Sequence, residues 1–421
     1  MRILHVNKYL YRRGGAEGYM EDVAALQQAA GHEVEFFGMT HPENPPLRYA
    51  EHFPPLVELE PAPEGAAAKA RAAARMLYSP ASRRGVAAVL ADFAPDVVHM
   101  HNIYHQLSPS ILGPMHAHDV TTVMTLHDYK LACPTYQFLA NGQLCEACLD
   151  GRFRHAVERR CKGGSLGASA LLALETRVHR SVRAYEPVRL FISPSRFLAG
   201  KMTQAGVFPD RMHVLNNFVD AAAFPAKSLP GGGVVFAGRL AAEKGVDTLI
   251  QAMALLLPPA SLEIAGEGPD RPALEALAAR HAPGRVTFHG RLPKDALLDV
   301  IRSAAVAVVP SRWHENQPMA VLEAFACGVP VVTTDLGGLP ELVSPGRDGD
   351  VVPANDPAAL ANAIAALLAD PGRAFAMGQA ARHKAATRFA PAEHLATLTD
   401  LYDRARLPIR EPAGLGRRLA R

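Results

Sequence analysis

The chain has 421 residues, 49% hydrophobic and 20% charged, which is ordinary for a globular protein and long enough for two or three domains. A net charge of +3 is too small to argue for nucleic acid as a partner, and five cysteines at this length do not read as a secreted disulfide framework. No apolar run reaches ~18 residues and no leader-like start is seen, so the expectation is a cytoplasmic protein that does not span a membrane, with peripheral contact at its inner face left open.

The first half reads as alternating strands and helices. Arg2 to Asn7 is a short apolar strand, Tyr9 to Glu17 a loop, Tyr19 to Ala30 a helix and His32 to Met39 a second strand. Gly14 and Gly15 between a strand and a helix start let backbone approach a ligand, and the free N–H groups there favour an anion. The pair is not G-x-G-x-x-G, which argues against a nicotinamide or flavin enzyme. His41 to Pro63 is a proline-rich loop. Gly65 to Leu90 reads as one alanine-rich helix whose Lys69, Arg71, Arg75, Arg83 and Arg84 form either a face for anionic lipid or a solvated surface. Asp96 to Asn102 and Thr121 to Asp128 are buried parallel strands with polar ends. Ligands of open α/β sheets collect at such ends, which places His101, Asn102, His127 and Asp128 at the cleft, with His127 the best single candidate.

Cys133, Cys145, Cys148 and Cys161 come next. One C-x-x-C pair with a cysteine on each side is a ligand set for structural zinc or an iron–sulfur cluster; four reduced thiols are the competing reading. Arg152, Arg154, Arg159, Arg160 and Lys162 form a basic stretch suited to a phosphorylated or lipid-linked partner, or a solvated loop. Arg189 to Ser195 is a strand, Phe197 to Gly206 a helix, Met212 to Asn217 a strand. The Pro/Gly-rich segment Pro225 to Gly233 has the composition of a linker, so domains of 1–220 and 221–390 are expected, followed by a segment of 391–421.

The second half starts afresh with a strand at Val234 to Gly238. Arg239 and Lys244 follow, Lys244 and Gly245 opening a helix to Leu257, so two cations stand at the sheet's ligand edge, where a diphosphate would need them. Ser261 to Gly266, Arg285 to Gly290 and Ala305 to Pro310 are further strands. Met319 to Ala326 is a helix with Pro318 at its start and Gly328 and Pro330 at its end, followed by a strand at Val329 to Thr334. Glu315 lies before that helix, and Glu323 lies about 7 Å along it from Pro318 at ~1.5 Å per residue. Carboxylates accept from paired hydroxyls, so two of them bracketing an anion site suit a ligand with hydroxyls at both ends and phosphates between. Asp356 to Phe389 is helical. Ala392 to Arg404 is the last helix, with Leu395, Leu398, Leu401 and Tyr402 on its apolar face, and a loose tail is expected from Pro408.

Glu315, seven residues, Glu323, then AFACGVPVV and GGLPELV resemble the donor-site signature of retaining family 4 glycosyltransferases. The chain departs from the commoner Phe-Gly after the first glutamate, having Asn316, Gln317 and Pro318, which leaves the donor sugar open. The resemblance spans nearly the whole chain. It implies the GT-B architecture, two facing Rossmann-like domains with a C-terminal helix crossing back onto the first. It also implies a donor site in which Arg239, Lys244 and the helix start at Pro318, Met319 and Ala320 hold the phosphates of a UDP- or GDP-sugar. Glu323 takes the ribose and Glu315 the hexosyl group, with Asn316 and Gln317 among the substrate-binding residues. Gly14 and Gly15 face the diphosphate, Arg291 and Leu292 lie in the loop reading the base, and His127 sits near the transferred sugar. The implied reaction moves that sugar to a saccharide or lipid-linked acceptor, in polysaccharide or glycan assembly. A sugar-nucleotide epimerase, a phosphorylase and a non-catalytic nucleotide-sugar-binding subunit are the alternatives. The absence of clustered aspartates predicts catalysis without a divalent ion.

Overall fold

The computed structural model describes residues 1–59, 64–257 and 259–407. Its first half supplies β1 (Arg2–Val6), β2 (Glu33–Phe37), β3 (Val97–Met100), β4 (Thr121–Thr125), a two-stranded hairpin of β5 (Leu139–Ala140) and β6 (Gln143–Leu144), then β7 (Leu190–Ser193) and β8 (Met212–Val214). The second half supplies β9 (Val234–Ala237), β10 (Leu262–Ala265), β11 (Val286–Gly290), β12 (Val306–Val309), β13 (Val331–Thr334) and β14 (Gly349–Val352). Two six-stranded sheets result, ordered β2-β1-β3-β4-β7-β8 and β11-β10-β9-β12-β13-β14. Every pairing within these two sheets is parallel. Strands such as VVHM in β3 and VAVV in β12 are buried along their whole length, as a sheet covered on both faces by helices requires.

The strand order reverses between β1 and β3 in the first sheet and between β9 and β12 in the second. The crevices of doubly wound sheets open at such reversals. The loop carrying Gly14 and Gly15 leaves β1, and Arg239 follows β9, so both sequence-selected anion loops sit at a reversal.

The last helix, Pro391–Arg406, packs Leu398, Leu401, Tyr402 and Ala405 into one cluster with Ile3, Tyr19, Val23, Val97 and Val123 of the first lobe. The chain therefore crosses back, as the resemblance implies. The loose tail expected from Pro408 lies outside the described residues.

Several boundaries differ from the sequence reading. The single helix expected over 65–90 is two, Ala66–Leu77 and Pro80–Phe93, because Ser79 accepts from the N–H of Ser82 and Pro80 starts a new first turn. The helical run over 356–389 likewise breaks where Asp370 caps Pro371–Arg388. Lys244 ends a short 3₁₀ turn instead of opening a helix. Gly245 follows at φ +68°, where an added Cβ would lie 2.0 Å from the Pro310 carbonyl oxygen, and the helix is Val246–Leu255.

Candidate active site

The site is built on the loop between β12 and the helix Met319–Cys327. Glu315 is buried, and its Oε1 accepts from Lys244 Nζ and from the Ser311 hydroxyl, both at 2.7 Å. Burial pushes the Glu315 carboxyl up, but Lys244 and Ser311 outweigh it and hold the group below its ordinary range. Lys244 also lies over the Trp313 ring, 5.3 Å from its centre. Backbone holds this loop from behind. Gly338 N donates to Glu315 O at 2.6 Å, and a Cβ on Gly337 or Gly338 would meet the carbonyl oxygens of Glu315 or Asn316 at 2.3 and 1.9 Å. The Gly-Gly of GGLPEL is therefore there for close approach.

Glu323 lies one turn inside the helix. Among the described residues no hydrogen bond or ion pair reaches its carboxylate. Burial raises its pKa, with Lys294 and Arg12 drawing it back; Arg12 belongs to the first lobe, so that lobe's β1 loop faces this helix across the cleft. The helix has no side-chain cap, and its opening N–H groups at Met319 and Ala320 have no carbonyl a turn earlier to meet them. Arg239 is exposed over 58% of its side chain and pairs with Glu243. Such an exposed pair is worth ~0–1 kcal/mol, so the guanidinium is readily available to another anion.

Asn316 donates from Nδ2 to the backbone carbonyl of His127 at 2.8 Å, joining the lobes, while its Oδ1 is buried without a partner among the described residues. Gln317, expected among the substrate-binding residues, has its side chain engaged within the protein. Its side chain is buried, accepting from Asn217 N at 2.5 Å, which fastens the loop to the segment entering the second lobe. Gly14 has φ −159°, ordinary extended backbone, and a Cβ on Gly15 would meet nothing within 4 Å. Neither glycine is required by the protein's own packing, and both are exposed, Gly14 as the N-cap and Gly15 as the first residue of the helix Gly15–Ala29, which has no side-chain cap. Arg291 is exposed and Leu292 half-buried just after Gly290, at the edge where β9, β10 and β11 end.

Of the four polar residues placed at the cleft from the first sheet, His127 and Asp128 are part-exposed there. His101 is fully buried and points inward, its Nε2 and Nδ1 meeting His5 and His127. Asn102 N donates to Asn7 Oδ1 at 3.0 Å, and Asn7 Nδ2 donates to Tyr9 O, so Asn7 ties the β1 loop to the β3 loop. The sequence reading missed Asn7, Ser311 and Glu341. Glu341 accepts from the N–H groups of Arg196 and Phe197 at 2.9 and 2.6 Å, capping a first-lobe helix from the second lobe.

The cysteine loop docks at the rim. Glu146, inside the C-x-x-C pair, accepts from Lys201 at 2.7 Å and lies 3.2 Å from His314 Nε2, next to Glu315 in the chain. All cysteines are free thiols. Burial and the nearby Cys133, Cys145 and Cys161 push the Cys148 thiol up to about 12. No three of these sulphurs lie within 4.8 Å of one another among the described residues. In the basic stretch, Arg152 pairs with Asp150, Arg154 with Glu158, and Arg159 donates to Cys145 Sγ.

Residues 13–223 match the family described as Glycosyltransferase Family 4, and residues 231–370 match Glycosyl transferases group 1. Among curated proteins the chain is similar to an alpha-maltose-1-phosphate synthase of Mycolicibacterium smegmatis, 33% identical over 47% of this chain and 57% of that one. It is also similar to a D-inositol 3-phosphate glycosyltransferase of Xylanimonas cellulosilytica, 39% identical over 41% of this chain and 42% of that one. The chain thus matches about half the length of these relatives. Among solved structures, a sucrose-phosphate synthase of Thermosynechococcus elongatus superposes with a TM-score of 0.72 at 22% identity, over 96% of this chain and 98% of that one. Anabaena HepE in complex with UDP-glucose superposes with a TM-score of 0.65 at 18% identity, over 96% and 100%. These likenesses show a shared fold.

Proposed function

The chain belongs to glycosyltransferase family 4, and from that premise we propose that it moves a hexosyl group from a nucleotide-diphospho-sugar to a saccharide or lipid-linked acceptor, retaining the anomeric configuration. The observation that carries this reading is the contrast between the two glutamates. Glu315 is kept ionised by Lys244 and Ser311, and Glu323 stands open at an uncapped helix start. A diphosphate fits between them, on the N–H groups of Met319 and Ala320 and on Lys244 and Arg239. Glu323 then accepts from the ribose and Glu315 from the hexosyl group. The buried, unpartnered Oδ1 of Asn316 supplies one more acceptor beside His127.

In the reaction the bond to the leaving phosphate stretches, and the acceptor hydroxyl attacks from the same face while a phosphate oxygen takes its proton. Lys244 and Arg239 stabilise charge on the leaving diphosphate, and the cleft positions the two substrates. The acceptor enters from the first lobe. Exposed Lys69, Arg71, Arg83 and Arg84 suit an anionic lipid surface or a lipid-linked substrate. The test is a thermal-shift screen of UDP-, GDP- and ADP-sugars. A true donor at 100 times its Kd adds about 2.7 kcal/mol of stability. Stabilisation by none of them would remove the reading.

A further inference from the structure

His127 is the end of a buried line of hydrogen bonds that begins at the Gln27 side-chain amide. His394, on the crossing helix, has Nδ1 2.8 Å from the carbonyl oxygen of Asn216 and Nε2 3.0 Å from the Tyr19 hydroxyl. A carbonyl only accepts. His394 therefore carries its proton on Nδ1, and Tyr19 donates to its Nε2. The line that reaches His127 runs separately from this pair, from the Gln27 side-chain amide. His99 Nε2 lies 2.7 Å from the Thr125 hydroxyl. His99 Nδ1 lies 2.6 Å from the Tyr402 hydroxyl, and the Tyr402 oxygen accepts from Gln27 Nε2 at 3.0 Å, which leaves the Gln27 oxygen facing His5. The Gln27 oxygen accepts from His5 Nε2 at 2.7 Å. His5 Nδ1 accepts from His101 Nε2 at 3.1 Å, and His101 Nδ1 accepts from His127 Nε2 at 3.1 Å.

From the Gln27 amide onward each step has one solution, because the rings are neutral. Burial lowers the pKa of His5, His127 and His394 to about 4 and that of His99 and His101 well below the ordinary value. A neutral imidazole has one donor and one acceptor, so fixing one nitrogen fixes the other. His5, His99 and His101 also bring one nitrogen each within 4.8 Å, a spacing that a metal ion could use. All six of their ring nitrogens already have partners, which excludes that use without dismantling those contacts.

We propose that this line holds His127 as its Nε2–H tautomer, so that Nδ1 faces the cleft as a bare acceptor for a hydroxyl of the transferred sugar. Among the described residues Nδ1 has no partner, and the residue is part-exposed. Gln27 and Tyr402 are then positioning residues that act on the site through His5 and His101. The sugar hydroxyl rests on the reading of His127 given above; the tautomer does not.

The two are separated by measuring the tautomer without any sugar present. Long-range ¹H–¹⁵N correlation spectra of the full chain with ¹⁵N-histidine report which ring nitrogen is protonated, and the His127 signals are identified by their loss in His127→Gln. The wild type should show only the Nε2–H form at His127. Tyr402→Phe keeps the ring in its packed site but unpins the Gln27 amide, and Gln27→Leu removes the acceptor of His5. In both, an Nδ1–H population should appear at His127. A wild type protonated on Nδ1, or a His127 tautomer unchanged in both variants, overturns the proposal. A tautomer that shifts while sugar transfer keeps its wild-type kcat supports the line of hydrogen bonds and removes His127 from the sugar site.

Discussion

The side-chain amide of Asn316 donates to the backbone carbonyl of His127 at 2.8 Å, so the loop before the helix Met319–Cys327 and a strand end of the facing lobe meet directly. These positions are 189 residues apart in the chain, and the bond forms only when the lobes are brought together. A neutral hydrogen bond of this kind contributes about 1 kcal/mol. Asn316→Ala should therefore lower kcat/KM by about fivefold at ~1.4 kcal/mol per tenfold. Asn316→Asp should do worse, because a carboxylate cannot donate and would face a carbonyl oxygen. Steady-state kinetics of the two variants give the order. An aspartate variant as active as wild type would show that the bond plays no part in turnover.

Glu323 has open acceptors where a ribose would lie. A hydrogen bond to a charged group contributes about 1.5–3 kcal/mol, or on the order of 10- to 150-fold in affinity. The nucleoside diphosphate found in the donor screen should bind more tightly than its 2′-deoxy form by about that factor or less, depending on which ribose hydroxyl is held. In Glu323→Gln the preference should largely vanish. Calorimetry of both nucleotides with both proteins measures the coupling directly. A preference that survives the substitution places the ribose elsewhere.

Much of this was readable from residues alone where local chemistry decides. The β-branched runs of β3, β12 and β13 announce buried parallel strands, and Glu315, Glu323 and the glycines after them share one short stretch. The edge strand β14 escaped notice because GDVV has only two apolar residues and its burial is uneven. The helix breaks at Pro80 and Pro371 hid in alanine-rich surroundings, although a Ser or Asp before proline marks each cap. Pairings across the cleft could not be read. Nothing near Glu341 points to Arg196, 145 residues away, and nothing near Gln317 says that its amide would be held by Asn217. His101 was assigned to the cleft because its strand ends there. The pleat turned it inward instead, onto β1 and His5.

The cysteine loop meets the second lobe through Glu146 and His314. Among the described residues the sulphurs are too far apart to be a closed tetrahedral set as they stand, yet Cys133, Cys145 and Cys161 all lie near enough to Cys148 to raise its pKa. A structural zinc would deprotonate them and draw them together, since thiolates, not thiols, are its ligands. The expected outcome is close to one zinc per chain by elemental analysis of purified protein. Strong chelation or Cys148→Ser should lower Tm, and should weaken donor affinity because Glu146 loses its footing beside His314. Protein free of both zinc and iron, with full stability, would assign the four cysteines to packing alone.

Lys244 and Glu315 give the clearest dependence on pH. Glu315 sits below its ordinary range in the folded chain because Lys244 and Ser311 outweigh its burial. Its contribution to stability is therefore present above the unfolded value of about 4.3 and is lost as pH falls through the lower folded value. Lys244→Met removes the cation and leaves burial dominant, so the folded pKa should rise above the unfolded one. The sign then reverses: the variant loses stability as pH rises from about 4.3 through the raised value. A buried charge left without its partner costs about 3–5 kcal/mol, so the Tm gap between wild type and variant should be small at pH 5 and widen by pH 8. Lys244→Met combined with Glu315→Gln should close most of that gap at the higher pH. Melting curves across this range decide the matter, and a gap that stays constant with pH would mean that Glu315 is not held ionised by Lys244.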